Sequence, residues 1–183
     1  QLAGNINLYK GKELTLTGLL LFGKNPQKYR PMFSIQCVAF SDNNVGSVNF
    51  EDKEPPVQGD LKTIFDTGIA FIKRNIRKIQ TEKSFNSVPE PEIPYEVFEE
   101  VIVNALIHRD YYINSTVKLF IFSNRIEIIS PGVLPNSLTV ENVLNGISIP
   151  RNPTLQSIAQ FMLPYSGLGT GIIRIMNLYP HIE

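Results

Sequence analysis

The residues best placed for chemistry lie in PYEVFEEVIVNALIHRDYY, residues 94–112. Read as a helix over about 95–109, this stretch sets Glu100, Asn104 and His108 at i, i+4 and i+8, along one stripe. Val97, Val101 and Leu106, with Ile102 and Ala105, fill the buried side. Asparagine is a poor mid-helix residue and costly in a core, so its place on the stripe needs a reason. One reason is metal–phosphate chemistry. A carboxamide oxygen can ligate Mg²⁺, and a carboxylate one turn earlier can position and deprotonate a water. The other is a polar helix face turned to solvent, and spacing alone favours that plainer account.

A second candidate is SGLGTGI, residues 166–172, with Gly167, Gly169 and Gly171 ahead of an amphipathic helix. Glycines there let backbone N–H groups approach a ligand, and the helix N-terminus beyond them favours phosphate. The spacing is GxGxG with no strand before it, so it is not the dinucleotide fingerprint, and no Lys-Ser/Thr follows to make a Walker loop. A flexible turn fits it as well as a phosphate cradle. A third candidate is SPGVLP, residues 130–135, where Gly132 could let a ligand base lie against the backbone; a strand-ending turn explains it equally. HRD at 108–110 lacks the other parts of a kinase catalytic loop. His108, His181 and Cys37 are too few for a zinc site.

Positioning these residues requires a strand over VKLFIFS, a turn at Asn124, a strand over RIEIIS, and three short helices. Thr139 caps the first of these, which runs to Gly146, Asn152 with Pro153 starts the second, and Gly171 opens the third. Upstream, PMFSIQCVAF (31–40) reads as a buried strand. Residues 41–59 read as a loop with a short extended piece at 46–50. Asp60 caps a long helix whose apolar face is Leu61, Ile64, Phe65, Ile69, Ile72, Ile76 and Ile79, with Lys73, Arg74, Arg77 and Lys78 on its solvated face. TEKSFNSVPEPEIPY (81–95) reads as a linker.

Composition bounds the rest. The chain has 183 residues, 43% hydrophobic and 19% charged, with 17 Lys+Arg against 17 Asp+Glu. That is enough for a buried core, and a net charge of zero excludes a protein that coats nucleic acid by charge alone. No apolar run reaches the roughly 18 residues of a membrane span. The single Cys37 excludes a disulfide scaffold and suits a reducing cytoplasm. Gln1 at the start suggests an excised fragment.

Taken in order, the helix with Glu-x-x-x-Asn, the two strands ending in a glycine turn, a lid and GxGxG resemble the GHKL (Bergerat) ATPases. More narrowly, EVIVNALIHRDY, RIEIISPGVLP, GISIPRNPTL and GLGTGI resemble a bacterial and archaeal family with an N-terminal Schlafen AlbA-like domain and a GHKL-type domain. Its members go by the names of transcriptional regulators or RecG-related ATP-dependent DNA helicases. LTLTGLLLFGKNPQKYRPMFSIQCVAF (14–40) is similar to the stretch where that AlbA-like domain ends.

The resemblance implies an α+β fold: a two-layer α/β sandwich of GHKL type, short at its C-terminus and preceded by a strand-and-helix connector. It divides the chain into the end of an AlbA-like domain (1–59), a connector helix and linker (60–94) and an ATP-binding domain (95–183). It implies ATP and Mg²⁺ as cofactors, with Glu100 activating water and Asn104 ligating the metal. His108 and Arg109 would lie near the phosphates, Ser130 and Gly132 under the adenine, and Arg151 in the lid. Gly167, Gly169, Thr170 and Gly171 would form the phosphate loop. The implied partners are DNA, through the AlbA-like domain, and a second copy of the chain; no membrane is implied. Three positions depart from the pattern: Ser130 stands for an Asp, Val133 for a second glycine, and Tyr165-Ser166 for an acidic residue. The alternative is a non-enzymatic dimerisation module with a degenerate nucleotide site. A helicase motor finds no Walker pattern here. The sheet edge near RIEIIS or VKLFIFS is expected to be covered by the N-terminal strand or by a second chain.

Overall fold

Thr15, Asp60 and Thr139 each start a helix by the same device. Their side-chain oxygens accept from the backbone N–H of Gly18, Thr63 and Asn142, which otherwise have no partner in the first turn. The computed structural model describes residues 7–80 and 88–182. Among these, six α-helices and a mixed four-stranded sheet make an α+β fold.

A two-stranded pair, β1 (Tyr9–Lys10) and β2 (Glu13–Leu14), precedes α1 (Leu16–Phe22). The main sheet has the order β4 (Phe50–Lys53), β3 (Ile35–Phe40), β7 (Val117–Ile121), β8 (Ile126–Ile129). β3 and β7 run parallel, Ile35 opposite Val117 through Ala39 opposite Ile121, and the outer pairs are antiparallel. Segments before residue 60 and after residue 94 therefore share one sheet.

β3 is central, which explains why its residues are apolar with little alternation. Cys37 and Ala39 face the main core with Leu119 and Ile121, while Val38 and Phe40 cluster with Phe120 and Phe122. Phe40 stacks on Phe122 at 4.9 Å between centroids. The main core is completed by α2 (Leu61–Asn75) and α3 (Tyr95–Ile107), which pack on each other. Phe71, Ile72, Ile102, Val103 and Ile107 are fully shielded there. The interface is close at Gly68, where an added Cβ would meet Ile35 and Ile102 at 3.3 and 3.4 Å.

Two expectations need correction. The apolar period running to Ile79 overestimates α2, which ends at Asn75. The Asn75 amide turns back to donate to Phe71 O and across to Asp52 Oδ2, competing with continued helix. Lys78–Ile79 instead forms β5, paired with β6 (Glu90–Pro91). Of the expected linker, residues 81–87 lie outside the described residues. The extended piece sits at Phe50–Lys53 rather than 46–50, because Arg74 on α2 draws Asp52 and Glu54 into ion pairs at 2.5 Å. The expected cover of the sheet edge is found at VKLFIFS, where β3 pairs with β7, while β8 has no neighbour beyond β7 among the described residues.

Burial pushes the Cys37 thiol up to about 12, and Glu54 adds to the effect. Since the thiolate is the reactive form, Cys37 is expected to resist a thiol reagent until the chain unfolds. Rapid labelling in native buffer would contradict its place on β3.

Candidate functional site

Helix α3 presents its polar stripe to a cleft of about 220 Å³. Glu100, Asn104 and His108 line one wall; Tyr165, Ser166, Gly167, Gly169 and Gly171 line another. A third wall is apolar and includes Val133, Leu134, Leu138, Val143 and Ile149, from the segment around α4 (Val140–Leu144). The stripe thus faces a cavity, and the solvent-facing alternative does not describe it.

Glu100 is the most constrained of these groups. Its side chain is 8% exposed, and both carboxylate oxygens are engaged. Oε1 accepts from Asn104 Nδ2 at 2.8 Å, and Oε2 accepts from Arg174 at 2.7 Å. Arg174 lies on α6 (Gly171–Leu178), the helix opened by the glycine loop. Asn104 Nδ2 also donates to Glu100 O at 2.8 Å. Both its hydrogens are then used, which leaves the carboxamide oxygen as the side-chain atom for a ligand.

The glycine loop needs its glycines for conformation and for space. Gly167 and Gly169 have φ of +69° and +72°, a region side chains rarely adopt. Gly169 also lies close under Gly146 O and Ser148, where the lid segment meets the loop. Gly171 has an ordinary φ, but its Cα lies flush against Glu100: a Cβ there would sit 1.7 Å from Oε1.

At the far end of the stripe, His108 Nε2 lies 3.2 Å from Tyr165 Oη, which accepts from Gln156 Nε2 at 2.9 Å. Burial lowers the His108 pKa, and the Arg151 charge lowers it further. The shift favours the neutral imidazole at pH 7, and the tautomer sets which of Nε2 and Tyr165 Oη donates. The Tyr165 pKa is raised by burial, then by the Glu100 charge, so its hydroxyl stays protonated. With a folded pKa below the unfolded 6.5, only the unfolded chain takes up the proton as pH first falls through that value. Stability is therefore full above pH 6.5 and declines below it. His108→Gln is expected to flatten that part of the slope, read from urea midpoints at pH 7 and pH 5.

Other expected site residues lie elsewhere. Arg109, expected beside the phosphates, is 1% exposed and does not line the cleft. Its guanidinium donates to Met32 O, Ile113 O and Ser115 O and sits between the Phe33 and Tyr111 rings. Ser130 Oγ donates to Ala105 O at 2.8 Å, so its proton is committed to the backbone. Gly132, at φ +122°, packs against Asp110. Arg151 pairs with Asp110 at 3.1 Å and donates to Val133 O, fastening the lid to the end of α3. Thr170 is exposed and makes no side-chain cap.

The sequence reading missed Arg174, Tyr165, Gln156 and Asp110. It treated Asn152 as the start of α5 (Pro153–Ala159) and as part of the lid, but the Asn152 amide donates to Ile107 O and Arg109 O, at and just past the end of α3. The period of α6 was the one available signal for Arg174, since it places that residue one turn beyond Gly171.

Comparison with known proteins bears on this half of the chain. Residues 114–181 match a family model described as "Putative ATP-dependent DNA helicase recG C-terminal". The match holds the turn, the lid and the glycine loop, and begins after α3, so the Glu100–Asn104–His108 stripe lies outside it. The crystal structure of the DIP2311 protein from Corynebacterium diphtheriae is similar over 97% of this chain, with a TM-score of 0.77 and 22% identity. That likeness shows the fold. The chain spans about a third of that structure's length, 35%. No curated protein matches the chain. Among the described residues no helix is long and apolar enough to cross a membrane, and no group of His, Cys, Asp and Glu could hold a metal ion by itself.

Proposed function

We propose that residues 95–182 form a GHKL-type module that binds ATP with Mg²⁺, within a larger protein that acts on DNA. One observation carries this reading. A carboxylate and a carboxamide one turn apart on α3 face a loop of three glycines that opens a helix, across a single cleft. The residues fit the nucleotide in kind. The glycine loop offers backbone N–H groups to phosphate, Asn104 has its oxygen left for a metal, and His108 adds an imidazole to the same wall. When bound, Mg²⁺ offsets negative charge on the terminal phosphate. Because it is the sole carboxylate lining the cleft among the described residues, Glu100 is the group that would orient a water and take its proton.

The cleft is smaller than the roughly 300–1,000 Å³ of drug-sized ligand sites. Binding a whole nucleotide therefore requires the lid around Val133–Ile149 to lift, with Arg151 as its fastening. A family name that speaks of a DNA helicase supports a DNA-linked role for the whole protein, and a second copy of the chain is a further proposed partner.

The test is thermal unfolding with and without Mg-ATP. At a hundredfold excess over Kd, binding adds about 2.7 kcal/mol, or roughly 5–10 °C for a chain of this size. Asn104→Ala should remove most of that shift. No shift at millimolar Mg-ATP would end the nucleotide reading. It would favour the non-enzymatic module, for which the double engagement of Glu100 is the supporting observation.

A further inference from the structure

We propose that Arg174 reads the terminal phosphate: it latches Glu100 until a nucleoside triphosphate draws its guanidinium off the carboxylate. This rests on the nucleotide reading above and assigns a specificity-determining role that the resemblance does not supply. Three observations carry it. First, Arg174 holds Oε2 while Asn104 holds Oε1 with Gly171 close against it, so the guanidinium occupies the oxygen that is otherwise open to a water. Asn104 is on the same helix as Glu100 and its amide also bonds Glu100 O, whereas Arg174 reaches in from α6 by its side chain alone.

Second, the two partners are unequal. The Glu100 side chain is 8% exposed and that of Arg174 is 56% exposed. A long, largely solvated side chain can change partner at small cost, whereas the carboxylate is fixed by packing. Third, Arg174 stands one turn into the helix that the glycine loop opens, with its head 2.7 Å from a carboxylate that lines the cleft. A phosphate placed to react with a water on Glu100 is within that guanidinium's range. Arginine binds phosphate with two parallel hydrogen bonds, and a terminal phosphate carries more charge than the carboxylate it would replace. A diphosphate lacks the group that would compete, so it leaves the latch closed.

The experiment compares Mg-ATP and Mg-ADP binding, by thermal shift and calorimetry, for the wild type, Arg174→Gln, Arg174→Lys and Glu100→Gln. The wild type is expected to prefer ATP. Arg174→Gln should bring the ATP:ADP affinity ratio down about tenfold, the loss of one charge-assisted contact, and Arg174→Lys should restore part of it. Glu100→Gln releases the guanidinium without a nucleotide, so it should raise the ATP:ADP affinity ratio about tenfold. If Arg174→Gln and Glu100→Gln both fold and keep the wild-type ratio, the contact is only structural and the proposal is overturned. If the wild type binds neither nucleotide, the underlying reading falls and takes the latch with it. Binding with an unaltered ratio removes the latch alone.

Discussion

Replacing Arg109 by methionine is expected to lower the stability of the chain by about 3 kcal/mol or more, without a specific loss of nucleotide response. Methionine keeps most of the stem but none of the donors. Three partly buried carbonyls, on Met32, Ile113 and Ser115, would lose a charged partner; Ile113 O keeps the Ser115 N–H, so two would be left unpaired, at about 1–3 kcal/mol each. The Phe33 and Tyr111 rings would also lose the guanidinium lying about 5 Å from each. Burial lowers the Arg109 pKa, and the Tyr111 and Asp110 charges oppose that shift. Lysine is a poor substitute, because a compact ammonium cannot span three carbonyls and stack at once. In urea the midpoint should fall by roughly 1 M or more at an unchanged slope. The opposite pattern, intact stability with lost Mg-ATP response, would place Arg109 at the phosphates and refute the buried position.

The contrast between Arg109 and its neighbour His108 shows what a sequence can and cannot disclose here. Both follow Asn104 closely, and a motif treats them as one unit. The helix ends at Ile107 with His108 as its cap, so His108 still lies on the stripe and lines the cleft, whereas the chain has left the helix at Arg109, which sits beneath the segment carrying Met32. The stripe of Glu100, Asn104 and His108 was legible because its spacing is local. So were the caps at Asp60 and Thr139 and the start of α6, each set by one residue and its own turn. The order of the sheet was not legible, since pairing β3 with β7 joins residues about eighty positions apart and leaves no periodic trace. The same holds for Arg174, which reaches Glu100 from another helix. Nor did the Asn152 clamp show itself: Asn before Pro signals a helix start, and nothing local reveals that the amide is spent on another helix.

Gly171→Ala is expected to destabilise the protein by about 2 kcal/mol, although alanine is the better helix former by about 0.5–1 kcal/mol. The backbone at Gly171 is ordinary, so the cost arises from space alone. The new Cβ would sit 1.7 Å from Glu100 Oε1 and 2.3 Å from its Cδ. The carboxylate must then move, which breaks its bonds to Asn104 and Arg174 inside a region that solvent barely reaches. Charge-assisted bonds of this kind contribute about 1.5–3 kcal/mol, and the exposed Arg174 end falls at the low side of that range. The same displacement should abolish the thermal response to Mg-ATP, because the carboxylate would be pushed away from α6 into the cleft. A double-mutant cycle identifies the obstacle. In a Glu100→Ala background the Cβ meets no carboxylate, so Gly171→Ala should cost nothing there and gain slightly from helix propensity. The coupling between the two positions is then about 2 kcal/mol. Additive costs would show that Glu100 is not what Gly171 accommodates, and that the glycine loop and the α3 stripe do not close on one another as the structure has them.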